Sequence, residues 1–158
     1  MKLAAQFSTV LCLCLSVSAG ISAQKSKPSL KLEDLPAPVQ KTVHEQSQGA
    51  EIRNISKEME KGKLNYEVEM KANGHNKDIL VDPAGNVTEV EEQVEVASLS
   101  PAVQEGVKKA AGGGQVRSVE SLMHEGKLTS YEVHIAANGK RLEKHVSPEG
   151  MILPDGQE

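Results

Sequence analysis

The sequence contains one alternating segment in two copies, and this duplication limits the possible fold more than any other feature. Residues 62–74 and 126–139 both open with Gly-Lys-Leu, continue into Tyr-Glu-Val and end in Asn-Gly. Alternating apolar and polar side chains are typical of a strand with one buried face, and Asn-Gly favours a two-residue hairpin turn. Each copy therefore predicts a strand that runs into a tight hairpin.

The segments around the two hairpins also match each other. In each copy two valines four residues apart predict the buried face of a helix: Val39 and Val43, then Val103 and Val107. Asp34 and Ser100 are the predicted N-caps of these helices. The sequence thus predicts an α+β fold, a tandem repeat of one helix plus a four-stranded antiparallel meander over residues 33–97 and 98–153. Both helices are expected on one face of the sheets, and whether the two sheets join is left open.

The Asn-Gly turns also predict which strand residues oppose one another, and so which side chains share a face. Tyr66 and Tyr131 then fall on the helix side, where we expect them to be the largest buried side chains. The opposite side of the sheet is the candidate partner face, carrying Glu67, Glu69, Glu132, His134, Glu143 and His145.

The fourth strand of the first copy is rich in glutamate and is predicted over residues 87–96. Its glutamates are Glu89, Glu91, Glu92 and Glu95. Charged side chains on an exposed edge strand discourage pairing between molecules. We therefore interpret this segment as a solvated sheet edge.

The two ends of the chain are predicted to lie outside the folded part. Lys2, a short apolar run and small residues up to Ala23 indicate a cleaved export signal over 1–23. Cys12 and Cys14 both fall within it, so the mature chain is expected to have no disulfide. Residues 24–32 and 154–158 are predicted to be a disordered lead-in and tail. The expected location is extracytoplasmic, in the periplasm or secreted, with no membrane span after signal cleavage.

Composition and motifs exclude several function classes. The net charge is −4 and only 2% of the residues are aromatic, which argues against nucleic-acid binding and base stacking. The Gly112-Gly113-Gly114 segment ends a predicted helix and lacks the lysine of a phosphate-binding loop. We predict that the chain is not an enzyme and that it carries no cofactor.

One group of side chains on the candidate partner face allows two interpretations. The predicted register places Glu132 opposite His145 and His134 opposite Glu143. Two imidazoles and two carboxylates could bind zinc or copper, or they could form cross-strand ion pairs of small energy. The first copy has Glu69 and Leu80 at the positions of His134 and His145. Since the group is not duplicated, we prefer the ion pairs.

Several short motifs resemble a known family. Leu-Pro-x-x-Val-x-x-x-Val, then Tyr-Glu-Val-Glu and Val-Asp-x-x-Gly, occur behind the export signal. Over residues 33–153, in both copies, the chain resembles the PepSY and PepSY-like group, which includes proteins similar to the beta-lactamase inhibitor protein. This resemblance implies extracytoplasmic modules that bind or restrain other proteins, often peptidases, without catalytic residues of their own.

We therefore expect a non-catalytic PepSY-like protein-binding module, inhibitory or regulatory towards a peptidase or another envelope protein. Its candidate face is charged and lacks aromatic side chains, which favours a moderate, salt-sensitive contact. The alternative is a small-molecule or metal sensor that uses the His134 and His145 patch. The sequence names neither the partner nor the oligomeric state.

Overall fold

The sheet that these segments build has seven strands. The computed structural model describes residues 29–60 and 62–154. Two helices, α1 (Ala37–Gln46) and α2 (Pro101–Ala111), accompany the strands. The strands are β1 (Ala50–Glu60), β2 (Lys63–Ala72), β3 (His75–Val81), β4 (Val87–Gln93), β5 (Gln115–His124), β6 (Lys127–Ala137) and β7 (Lys140–Val146). They form one antiparallel sheet in the order β1-β2-β3-β4-β5-β6-β7.

The predicted tandem repeat of one helix plus a four-stranded meander is wrong. The first helix is followed by four strands and the second by three, and β4 pairs with β5 to make a single sheet. After β7 the chain turns at Ser147 and returns only as far as one bridge between Val146 and Ile152. The predicted boundary between residues 97 and 98 falls within a short 3₁₀ helix, Val96–Ser98.

Both hairpins have the predicted turn and register. Asn73 and Gly74 have φ angles of 50° and 87°, and Asn138 and Gly139 have 51° and 73°. Positive φ at both central residues is the type I′ turn that suits the twist of paired strands. The predicted pairings across the β2–β3 and β6–β7 hairpins are therefore confirmed.

β1 and β5 each contain a β-bulge. The β1–β2 register shifts between Ile52 and Asn54, and the β5–β6 register shifts between Val116 and Ser118. The extra residue is an arginine in each strand. A bulge increases the local twist of the strand that carries it, and here it lets the strand keep Ile55 or Val119 on the buried side.

The two helices start differently. Ser100 caps α2 as predicted, since its hydroxyl accepts a hydrogen bond from the Val103 N–H at 3.3 Å. The predicted Asp34 cap is wrong. Asp34 belongs to a preceding 3₁₀ helix, Leu32–Asp34, where its carboxylate accepts a hydrogen bond from the Lys31 N–H at 3.1 Å. Pro36 fixes the backbone immediately before α1, so α1 starts at Ala37 with no side-chain cap.

Both helices cover the same side of the sheet, which we call the helical face. Val39 and Val43 pack against β2 and β3, and Val103 and Val107 pack against β5, β6 and β7. The helical face is continuous across the sheet, because Val90 on β4 lies opposite both Ile79 on β3 and Met123 on β5. Residues that are directly opposite in antiparallel strands share a face.

The prediction for the two tyrosines is only half right. Tyr66 is buried at 6% exposure, whereas Tyr131 is half-buried and lies at the margin of its cluster. The largest fully buried side chains are Met70, Ile79 and Ile135. A phenol needs a polar outlet for its hydroxyl, so aliphatic side chains and methionine fill the deepest positions.

The segments that flank the sheet lie along its two edges. Of the lead-in predicted as disordered, the described residues include Leu30 and Leu32, which pack against the first core cluster. The Leu30 N–H also donates to the Ile55 carbonyl at 2.7 Å, along the outer edge of β1. The predicted export signal and residues 155–158 of the predicted tail lie outside the described residues. Among those described, no helix is long and apolar enough to cross a membrane.

Candidate functional site

The side of the sheet opposite the helices, which we call the open face, carries a band of acidic residues. The register places Glu69 on β2 opposite Asp78 on β3, and Asp78 opposite Glu91 on β4. Three carboxylates therefore stand side by side across adjacent strands. Like charges directly opposite one another destabilise a sheet, so this row requires a compensating interaction or a proton.

The predicted solvated edge is wrong for half of its glutamates. β4 is an inner strand that pairs with β3 and β5, so it has no free edge. Glu89 is only 7% exposed and Glu91 is partly buried, both on the open face. Glu92 and Glu95 are exposed. The glutamates were assigned to an edge because the β4–β5 pairing was not predicted.

These carboxylates line a groove of about 440 Å³, which we call the acidic groove. Its lining consists of Glu58, Glu60, Glu67, Asp78, Leu80, Glu89, Glu91, Glu120, Glu132, His134 and Glu143. No helix covers Leu80 here, yet it is only 6% exposed, and Leu122 beside the groove is 2% exposed. The carboxylate side chains therefore stand around an apolar floor, which lowers their solvation.

Burial and mutual repulsion raise the pKa of two groove carboxylates. The pKa of Glu91 rises to about 8, first because the group is buried and then because Glu132 and Glu89 are near. The pKa of Asp78 rises to about 6, again by burial first and then by Glu69. Both causes disfavour the charged form. Full ionisation of the groove therefore costs the folded protein free energy.

At one end of the groove, His134 is surrounded by three carboxylates. Its Nε2 lies 3.3 Å from Glu120 Oε2 and 3.9 Å from Glu132 Oε1, and its Nδ1 lies 3.7 Å from Glu143 Oε1. The hydrogen bond with Glu120 is the main reason that the pKa of His134 rises to about 9. Burial raises the pKa of Glu132, and the charge of His134 partly offsets this. His134 thus serves as the counter-ion of its acidic neighbours.

The predicted face residues have different surroundings. Ser56 and Asn54 on β1 donate hydrogen bonds of 2.8 Å to Glu67 and Glu69. Glu67, Glu132, His134 and Glu143 all line the acidic groove, whereas Glu69 and His145 do not. His145 lies opposite Glu132 as the register requires, and its Nδ1 is buried without a hydrogen-bond partner among the described residues.

Sequence reasoning missed Glu120, which makes the shortest contact to His134. The signal was available, since Val119 is apolar and the next residue of a strand points to the opposite face. What it lacked was the β5–β6 register, which places Glu120 opposite Glu132. The bulge in β5 shifts that register by one residue, and alternation alone does not give its position.

A second groove adjoins the acidic one near the β6–β7 turn. Its volume is about 750 Å³, and it shares Glu120, His134 and Glu143 with the acidic groove. Its other charged lining residues are basic: Arg117, Lys140 and Arg141. The open face is therefore acidic in the middle of the sheet and basic towards one hairpin.

Several solved structures share this fold. A BLIP-like protein from Bacteroides fragilis matches with 22% identity and a TM-score of 0.54, over 75% of this chain and 84% of that one. A DUF2874 family protein from Bacteroides ovatus matches with 17% identity and a TM-score of 0.57, over 76% and 85%. A Bacteroides eggerthii protein, provisionally assigned to the periplasm, matches with 14% identity and a TM-score of 0.61, over 76% and 86%.

At these identities the likeness is one of fold. No protein-family model and no curated protein sequence matches this chain. The resemblance to PepSY proteins therefore stays a prediction. The fold of this chain is that of the BLIP-like and DUF2874 structures.

Proposed function

We propose that this chain is a non-catalytic extracytoplasmic module that binds a protein partner through its open face. The observation that carries the proposal is the acidic groove, where nine carboxylates line one cavity in the described part of the chain. The partner surface that fits it is rich in lysine and arginine. The predicted face residues belong to the proposed contact, and Asp78, Glu91 and Glu120 extend it.

The electrostatics of the free protein support this proposal. Glu91 and Asp78 have pKa values raised by burial and by neighbouring carboxylates. A basic partner would place positive charges beside these carboxylates and reduce their mutual repulsion. Relief of this repulsion would contribute favourably to the free energy of binding. Complementary charge of this kind raises association rates and selectivity more than final affinity.

The fold and the predicted family support the partner class. Structures with this fold include a BLIP-like protein and a protein provisionally assigned to the periplasm. We propose a peptidase or another envelope protein as the target, with the chain acting as an inhibitor or regulator. None of the described residues that line the groove is a phenylalanine, tyrosine or tryptophan, and aromatic anchors are typical of tight interfaces. We therefore expect moderate affinity that falls as salt rises.

Affinity capture from native envelope extract tests the proposal. The bait is compared with a double variant, Glu67→Gln with Glu132→Gln, which removes two groove charges. A matched control, Glu45→Gln with Glu105→Gln, removes two charges from the exposed sides of the helices. We expect one specific protein at low salt, lost at raised salt and with the groove variant but retained with the control.

Two results would contradict the proposal. One is equal recovery by the groove variant and the wild-type protein. The other is the absence of any specifically captured protein at low salt. If a protein is captured specifically, it would be purified and titrated directly against this chain. Direct binding separates a true partner from an indirect one.

The alternative is a metal sensor at the His134 end of the groove. One observation favours it: a ligand atom from each of Glu120, Glu132 and His134 lies within 4.8 Å of the other two. A sensor would respond to the ion itself without a protein partner. Titration with zinc and copper salts separates the two functions.

A further inference from the structure

We infer that Glu120, Glu132 and His134 form a binding site for a divalent transition-metal ion of the zinc class. Their potential ligand atoms lie within 4.8 Å of one another. All three side chains are partly buried on inner strands β5 and β6. Paired strands hold side chains more precisely than loops do, which favours a preformed site.

The types of ligand select the class of ion. One imidazole nitrogen and two carboxylate oxygens suit zinc and the neighbouring first-row metals. Calcium prefers six to eight oxygen ligands, so an imidazole at the centre of the group disfavours it. Three protein ligands also leave a coordination position open, as in zinc sites that receive a further ligand.

The orientation of His134 fits this role. Its Nε2 faces Glu120 and Glu132, at 3.3 Å and 3.9 Å, while its Nδ1 faces Glu143 at 3.7 Å. A metal-binding histidine commonly directs its other nitrogen at a carboxylate, which fixes the ring and strengthens the ligand. Glu143 occupies that outer position here.

The next strand contributes a second histidine near the group. His145 lies directly opposite Glu132, and its Nδ1 is buried with no hydrogen-bond partner among the described residues. Leaving a buried polar atom without a partner costs free energy.

The ion must displace one contact of the metal-free protein. His134 Nε2 and Glu120 Oε2 lie 3.3 Å apart in a hydrogen bond, and both atoms belong to the proposed ligand set. Zinc would separate these two groups and bind both of them.

Calorimetric titration of the purified protein with zinc chloride tests the site. We expect one ion per chain. His134→Asn and Glu120→Gln should each weaken binding roughly tenfold or more, by analogy with the effects of less direct groups around metal sites.

His124→Asn is the matched control. His124 lies on the same face, beside Glu89 at 3.7 Å and outside the group, so its variant should bind zinc like the wild-type protein. Thermal unfolding without metal establishes that each variant is folded, and Glu120→Gln preserves the test if His134→Asn is unfolded. The site is refuted if zinc gives no saturable heat, if the control loses binding and the site variants keep it, or if calcium chloride binds more tightly than zinc.

This inference concerns the same groove as the proposed function but does not depend on a partner. Zinc titration uses the purified protein alone, and partner capture can be repeated in the presence of a chelator. Zinc binding without a captured protein would support the site and contradict the proposed function. Capture without zinc binding would do the reverse.

Discussion

The two faces of the single sheet differ in how their side chains are accommodated. On the helical face, apolar side chains such as Val68 and Ile79 are completely buried beneath the helices. On the open face, acidic side chains crowd together, and the pKa of Glu91 rises to about 8. One face stabilises the fold, and the other retains groups that oppose it. Residues that lower stability without improving packing are a common mark of a functional surface.

The helical face should give the largest effect on stability. Tyr66→Ala is expected to lower the free energy of unfolding by about 3–5 kcal/mol, as other deletions of buried aromatic side chains do. Tyr131→Ala should cost less, because Tyr131 is only half-buried. Denaturant unfolding of both variants measures the difference. Equal losses would mean that the second cluster encloses its tyrosine as fully as the first.

The open face should give an effect of opposite sign. Glu91→Gln removes a charge that burial and neighbouring carboxylates destabilise, so we expect the free energy of unfolding at pH 8 to rise by on the order of 2 kcal/mol. Glu92→Gln is a matched control, because Glu92 is the next residue of β4 and is exposed. It should change stability little. A loss of stability in Glu91→Gln would show that the carboxylate makes a favourable interaction.

Stability should also fall as pH rises from about 5 to 9. Folded Glu91 keeps its proton up to about pH 8, whereas the unfolded group loses it near 4.5. His134 acts in the same direction between 6.5 and about 9, and Asp78 between 3.8 and about 6. The folded state binds more protons throughout, and each proton difference contributes a slope of at most about 1.4 kcal/mol per pH unit.

Melting temperatures measured across this range check the pH dependence. Glu91→Gln should flatten the curve between about pH 5 and 8, because it removes the group responsible for much of that slope. A stability that rises with pH over this interval would contradict the electrostatic difference between the two faces. The lowered pKa of Asp82, caused mainly by its hydrogen bonds with Asn86, acts in the opposite sense at more acidic pH.

The smallest effect concerns the helices that cover the helical face. Ser100→Ala removes the hydroxyl that caps α2 and should cost about 1 kcal/mol. Asp34→Ala should cost less, since Asp34 lies outside α1 and its carboxylate accepts an exposed hydrogen bond from Lys31. Urea unfolding at fixed pH resolves the two. If Asp34→Ala were the more costly change, the 3₁₀ helix before α1 would be the stronger anchor.

How far the sequence predicts the structure depends on whether the signal is local. The hairpin turns at Asn73 and Asn138 were predicted correctly, because Asn-Gly specifies both the turn type and the register. Ser100 was correctly predicted as the N-cap of α2, because a capping serine contacts a backbone N–H only three residues away. These features are decided within a few residues of the chain.

Features that depend on distant pairing were not predicted. No local signal pairs β4 with β5, so Glu89 and Glu91 were placed on a solvated edge and the chain was divided into two repeats. Glu120 was missed because the bulge in β5 shifts the β5–β6 register, although His134, Glu132 and Glu143 were correctly placed on one face. The raised pKa values of Asp78 and Glu91 arise from burial and then from this crowding, and neither can be recognised from a single strand.

The β4–β5 pairing also has a consequence for how the chain folds. Each of the other strand pairings joins strands connected by a short turn, whereas β4 and β5 are separated by α2 and its flanking segments. Closing a longer loop costs more chain entropy before the new contacts repay it. The two hairpin groups should therefore form first and join last. Leu122 lies at the buried centre of that junction. Leu122→Ala should therefore speed unfolding while leaving the folding rate nearly unchanged. The junction would then set the kinetic lifetime of the native protein.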